Sequence, residues 1–190
     1  MTHRRRSKRL LELVGRCLRE GSAVEIDGIG RFRLDEENHI RFEPTGRPRV
    51  FLAYAEEDRT DVRDIYDALQ EAGFEPWMDV CNLLPGQNWP RAIEHAIETS
   101  DFFLGCFSRR SSSKRGHFQT ELRYALELAN KVPLDDIFLV PVRLDDCAVP
   151  RHISRKTQYV DLFPDWHRGM DQLVGMMREQ ERQQRARLLS

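Results

Sequence analysis

No stretch of this 190-residue chain is apolar for long enough to cross a membrane as a helix. Cysteine is scarce. Cys17, Cys81, Cys106 and Cys147 lie far apart with no Cys-x-x-Cys pair, so neither a zinc site nor a disulfide framework is expected. Reduced thiols in a cytoplasmic protein fit that usage. No Gly-x-Gly-x-x-Gly follows the first buried strand and no P-loop occurs anywhere, which argues against a dehydrogenase-type nucleotide site and against a nucleoside triphosphatase. Internal repeats and low-complexity linkers are missing as well. The opening MTHRRRSKRLLELVGRCL is basic and then apolar, but Glu12, Arg16 and Arg19 break its apolar part and no small-residue cleavage site follows, so it is not read as a signal peptide. A dominant charge of one sign is also lacking, since the net charge is −1. That balance hides an asymmetry: residues 1–49 hold 12 Lys/Arg against 8 Asp/Glu, and the remainder holds 18 against 23.

What the chain does have is concentrated in residues 49–108. An apolar run from Val50 to Tyr54 reads as a buried strand. An acidic turn (Glu56, Glu57, Asp58) precedes a helical pattern through Val62, Ile65, Leu69 and Ala72, ended by Gly73. Phe74 to Val80 reads as a second strand, followed by the loop CNLLPGQN with its Pro85-Gly86 turn signal. Trp89, Ile93 and Ile97 then recur at helical spacing; Trp89 is read either as the end of this core stripe or as a site aromatic. Phe102 to Phe107 is the third strand. Strands alternating with helices of this length predict a parallel sheet covered on both faces.

Beyond the polar stretch Ser111 to Gly116, a helix is predicted from His117 to Asn130. At ~100° per residue Phe118, Leu122, Ala125, Leu126 and Ala129 share one apolar arc, with Glu121 on its flank. A carboxylate there would face the carboxyl edge of the sheet, where open α/β sheets bind ligands. Ile137 to Val142 is the fourth strand. Asp145-Asp146, Pro150 and a basic turn (Arg151 to Lys156) lead to a short last strand near Tyr159-Val160, and the turn Asp161 to Asp165 to a helix from Trp166 to about Arg187. Its apolar positions Leu173, Val174, Met176 and Met177 fade into a charged tail with no heptad, which reads as a solvated helix end rather than a coiled coil.

FLAYAEED, the segment Gly73-Phe74-Glu75-Pro76-Trp77-Met78-Asp79, LLPGQNW, SDFFLGCFS, KRGHFQTELRYAL and IFLVPVRLDDCAVP occur in that order over residues 49–175. In order and spacing they resemble the bacterial TIR domains. The resemblance implies a flavodoxin-like α/β domain with a five-stranded parallel sheet, strand order 2-1-3-4-5, over residues 49–190. It also implies that the loop from Asp79 to Asn88, with Leu84, Pro85 and Gly86, takes part in domain–domain assembly and gates a nucleotide pocket. Family members that cleave NAD use a glutamate four positions after a tryptophan; Glu121 matches the glutamate, and His117 holds the tryptophan position. The implied activity is assembly-dependent cleavage of the nicotinamide–ribose bond in bacterial defence or signalling. NAD is then the substrate, with no metal and no separate cofactor. Tyr54, His117 and Trp89 are candidates for substrate contact, with a core tyrosine as the alternative for Tyr54. Self-association through TIR–TIR contacts, and contacts with other TIR proteins, are the implied partnerships. The alternative within the same fold is a non-catalytic interaction module.

Residues 1–48 read as a separate small module. Ser7 to Arg19 predicts an amphipathic helix closed at Gly21. Ala23 to Ile26 and Arg31 to Leu34 flank Asp27-Gly28-Ile29-Gly30 as a hairpin or a strand with a glycine kink, and Ile40 to Phe42 adds a strand. The string LLELVGRCLREGSAVEIDGIGRFRL resembles the HU-type histone-like proteins around Gly28-Ile29-Gly30-Arg31-Phe32, without their first helix or long basic arm. DNA binding would rest only on the excess of basic residues and the Arg4-Arg5-Arg6 cluster, so a dimerisation or docking role is favoured. A segment of ~40 residues is near the lower limit for folding alone. Pro44 and Pro48 mark the boundary.

Overall fold

All six residues of the strand Phe102–Phe107 are buried, and the layers of the larger unit are built outward from it. The computed structural model describes residues 14–26, 30–35, 38–43, 46–111, 117–129 and 136–188. The chain divides into two compact units, residues 1–46 with 185–190, and residues 47–184.

In the smaller unit residues 14–19 are helical (α1). Gly21, at φ +79°, ends them: the Gly21 N–H donates to Leu18 O and the Ser22 N–H to Cys17 O, each at 3.0 Å. This is the paired closure that a left-handed residue after a helix permits. Strands β1 (Val24–Ile26), β2 (Gly30–Leu34) and β3 (Ile40–Glu43) form an antiparallel sheet in that order, with Val24 opposite Phe32 and Phe32 opposite Phe42. Of the two readings for the Gly28 region, β1 and β2 pair as a hairpin. The predicted helix residues Ser7 to Leu13, the Arg4-Arg5-Arg6 cluster and Asp27 to Ile29 lie outside the described residues.

The larger unit carries the parallel strands β4 (Arg49–Ala53), β5 (Glu75–Trp77), β6 (Phe102–Phe107), β7 (Leu139–Arg143) and β8 (Val160–Asp161). Their spatial order is β5-β4-β6-β7-β8, the 2-1-3-4-5 arrangement expected. Leu52 pairs with Leu104, and Leu104 with Val140, across the three central strands. Successive strand residues point to opposite faces, and the core divides accordingly. Val50, Leu52, Phe102, Leu104, Cys106, Val140 and Val142 pack with Val62, Ile65 and Leu69 of α2 (Arg59–Glu71) and with Met170, Leu173 and Met177 of α7 (Trp166–Leu188). Phe51, Ala53, Phe103, Phe107 and Leu139 face the other way. They meet Ile93 and Ile97 of α4 (Trp89–Glu98), Phe118, Leu122 and Ala125 of α5 (His117–Ala129), and Ile153 of α6 (Arg151–Ser154). Strands buried on both faces read as continuous apolar runs, which is why β6 and β7 show no polar alternation.

Several boundaries differ from expectation, each for a local reason. The second strand stops at Trp77 rather than Val80, because Asp79–Asn82 coil into a short helix, α3. The Asn82 side chain accepts the Met78 N–H at 2.9 Å and Asp79 Oδ1 accepts the Val80 N–H at 2.7 Å, so side chains satisfy donors that a longer strand would have used. The basic turn after Pro150 is α6. The end of α7 is not wholly solvated: Gln180 is buried and donates to Asp136 at 3.1 Å. Gly73, at φ +89°, closes α2 as predicted, with the Phe74 N–H bonded to Leu69 O. The chain therefore turns directly into β5, and the carboxyl ends of β4, β5 and β6 fall side by side.

Candidate functional site

Helix α5 sets Glu121 where its amphipathic pattern placed it, beside an apolar arc. Phe118, Leu122 and Ala125 are buried and Glu121 is half-buried. Its carboxyl lines a cleft of about 180 Å³ between α4 and α5, with Trp89, Pro90, Ile93 and Glu94 on one wall and Thr120 and Tyr124 on its own. Among the described residues no hydrogen-bond or ion-pair partner meets that carboxyl. Burial against these apolar walls, with the nearby Asp79 carboxylate adding repulsion, pushes its pKa from the usual carboxylate range up to about 7. A carboxyl held near neutrality in a concave site is the kind of group that marks functional positions.

Trp89 is where the core reading of the sequence fails. Ile93 and Ile97 are buried, but Trp89 is 46% exposed at the first position of α4, and its ring borders the cleft with Glu121. The helix starts there because Asn88 Oδ1 accepts the Arg91 N–H at 3.2 Å and Pro90 needs no donor in the first turn. Ile93 and Ile97 join the core cluster on this face of the sheet, and Trp89 does not. Facing it, Tyr124 donates its hydroxyl to Glu98 Oε1 at 2.5 Å, tying α5 to the last residue of α4. The sequence offered a signal for Tyr124, since it lies one turn after Glu121.

Tyr54 stands just past the end of β4, half-buried, and its hydroxyl donates to Asp79 Oδ1. Burial first, and then the hydrogen bond to Asp79, raise its pKa well above the phenol range. The residue is therefore neither a sealed core tyrosine nor a freely exposed one; it tethers the start of the loop after β5. From α3 onward that loop is exposed: Leu84 is 65% accessible, Gly86 takes φ +87°, and the Leu84 N–H donates to Gln87 Oε1 at 3.0 Å across the turn. Pro85 is exposed beside them. His117 is the first residue of α5, and its side chain lies outside the described residues. Trp89 and Glu121 thus share one cleft, while Tyr54 and Asp79 form a neighbouring pair linked to Glu121 through the charge of Asp79.

One cluster at this edge was not singled out from the sequence. Asp58, fully buried, accepts from Ser108 Oγ at 2.6 Å and from Arg110 Nε at 2.9 Å, and Arg110 reaches Asp61 as well. Ser111 Oγ in turn accepts the Ser108 N–H at 2.8 Å. A buried carboxylate with its partners in place is a positional device that joins the loops after β4 and β6. Its signal was the acidic turn before α2, although Asp58 makes no capping bond to that helix. Among the described residues no group of three or more His, Cys, Asp or Glu is arranged to hold a metal, and no helix is long and apolar enough to cross a membrane.

The model of the TIR domain family matches residues 50–174 of the chain. The Sinorhizobium fredii protein y4cD is 26% identical over 140 residues, which are 73% of this chain and 22% of that protein. The Bacteroides thetaiotaomicron protein BtTIR, a 2′ cyclic ADP-D-ribose synthase, is 34% identical over 61 residues, 32% of this chain and 21% of that protein. The chain thus spans about a fifth of the length of each relative. In structure it is similar to the TIR domain of the Toll-related receptor TRR-2 from Hydra magnipapillata. The TM-score is 0.52 at 22% identity, covering 66% of this chain and 96% of that one, a likeness of fold.

Proposed function

Because this chain belongs to the TIR domain family, we propose that it cleaves the nicotinamide–ribose bond of NAD, with Glu121 as the catalytic carboxylate. The observation that carries this reading is the half-buried carboxyl of Glu121, unpaired among the described residues, in a cleft walled by Trp89. The similarity to a cyclic ADP-ribose synthase supports the substrate class.

The chemistry asks little of the protein. Nicotinamide in NAD is already cationic, so it leaves without a general acid. Positive charge then grows on the ribose, as in glycoside hydrolysis. A carboxylate beside the anomeric carbon opposes that charge and accepts hydrogen bonds from the ribose hydroxyls. Water, or a second atom of the same nucleotide, completes the reaction by hydrolysis or cyclisation. Tyr54, His117 and Trp89 would shape the pocket around the substrate.

Activity is proposed to depend on self-association, as part of cytoplasmic defence or signalling. Val80 and Leu84, exposed on α3 and the following loop, supply apolar surface for a TIR–TIR contact. The same exposure favours a second reading, an interaction module without turnover. Residues 1–48 are proposed to dock or dimerise rather than to bind DNA. The test is incubation of concentrated protein with NAD followed by chromatography. Free nicotinamide with ADP-ribose or a cyclic isomer is expected; unchanged NAD under conditions that force association would favour the interaction module.

A further inference from the structure

The sheet of the smaller unit ends in a strand whose sequence is complementary to itself. Among the described residues of that unit Leu18 is the one buried apolar side chain; Val24, Phe32 and Leu34 are half-buried and Ile40 is exposed. So short a unit with so little apolar burial gains by association. Strand β3 lies at the edge, with β2 as its neighbour on one side and no strand on the other among the described residues. The Asp35 N–H donates to His39 O at 2.9 Å, so the alternation of an antiparallel ladder makes Arg33 with Arg41, and Arg31 with Glu43, the hydrogen-bonded pairs. Ile40 and Phe42 therefore turn their backbone N–H and C=O groups away from β2. An edge of this kind is either guarded or used.

The charges of β3 select one way to use it. A two-fold pairing with a second copy can centre on any of its four residues. Centred on Arg41 or on Glu43, it opposes like charges. Centred on Ile40, it runs out into the turn at Asn38. Centred on Phe42, it lets the two Phe42 residues exchange backbone hydrogen bonds and sets Arg41 of each copy opposite Glu43 of the other, twice over. Asp35 accepts from Arg41 Nε at 2.8 Å and steadies that cation, which stays exposed. The other edges do not offer this. Strand β1 would bring Glu25 against itself, β5 carries Pro76 with no N–H to give, and β8 has two residues.

We propose that the outer edge of β3 is a homodimer interface, in which two copies pair antiparallel about Phe42 and join their three-stranded sheets into one of six strands. The proposal rests on the reading of residues 1–48 as a dimerisation module and names its surface. Two chains joined there hold their larger units at a high effective concentration, whatever contact those units then make.

The experiment is sedimentation velocity of the full chain at low ionic strength, on a Leu84→Asp background that weakens association through the loop after α3. The background protein should dimerise with rising concentration. Arg41→Glu or Glu43→Arg alone should weaken the dimer by about tenfold, since each opposes like charges at two symmetric positions. Mixing the two variants should restore the affinity, because the mixed pair again sets opposite charges face to face. A chain that had merely misfolded could not be rescued in this way. A dimer indifferent to both substitutions, or losses that mixing leaves unrepaired, would overturn the β3 edge and leave the dimerisation reading standing. A monomer at every concentration would overturn both.

Discussion

Glu121 holds its proton more tightly in the folded chain than it would when unfolded, where its pKa is near 4.5. Between that value and about 7 the folded state therefore binds more protons, and this residue's contribution to stability falls as pH rises through the window. The ionised form is the one the proposed chemistry needs, so function and stability pull in opposite directions here. Glu121→Gln is expected to raise stability at pH 8 by about 1–2 kcal/mol, less than full linkage because the carboxyl keeps part of its solvent, and to have little effect at pH 4. Urea unfolding at the two pH values measures this; an equal effect at both would mean that burial does not raise the pKa. The position of Glu121 was legible from helical spacing, but its environment was not. That depends on Trp89, which the same spacing left open between the core stripe and a site aromatic and which the fold leaves exposed at the first position of α4.

At the scale of elements, the alternation of apolar runs and amphipathic segments specified the larger sheet, because its central strands β4, β6 and β7 are buried on both faces and α2, α4 and α5 each bury one. What it could not specify were the places where side chains take over backbone bonds. Asn82 and Asp79 turn the expected end of β5 into α3, and Asp58 spends its carboxylate on Ser108 and Arg110 rather than on its own helix. Such bonds join residues that periodicity treats independently. The packing of α7 on β8 is another contact invisible in sequence. A Cβ at Gly169 would lie 2.3 Å from the Asp161 carbonyl oxygen, whereas one at Gly175, in the same helix, would meet nothing within 4 Å. Gly169→Ala should therefore destabilise the protein by about 1–3 kcal/mol. Gly175→Ala should stabilise it by about 0.5–1 kcal/mol through helix propensity alone. Thermal unfolding of the two variants reads the difference, and matching shifts would contradict this packing of α7.

For the molecule as a whole, family membership and fold settle less than the site does, since one fold serves catalysis and pure association alike. The exposed loop beyond α3 joins the two, because Asp79 anchors it to Tyr54 while acting on Glu121 through its charge. If assembly uses that loop, the specific rate of NAD cleavage rises with protein concentration. Leu84→Asp, at a side chain 65% exposed, should then move the midpoint to about tenfold higher concentration without unfolding the chain. A rate strictly proportional to concentration in both proteins would remove assembly from the account. The central claim, that one carboxylate carries the reaction, is met most directly by the time course of nicotinamide release from NAD by the parent and by Glu121→Gln at equal, high concentration. The account predicts steady release by the parent, rising as pH passes through about 7, and a loss of at least about a hundredfold in the variant. Equal release by the two proteins would contradict it.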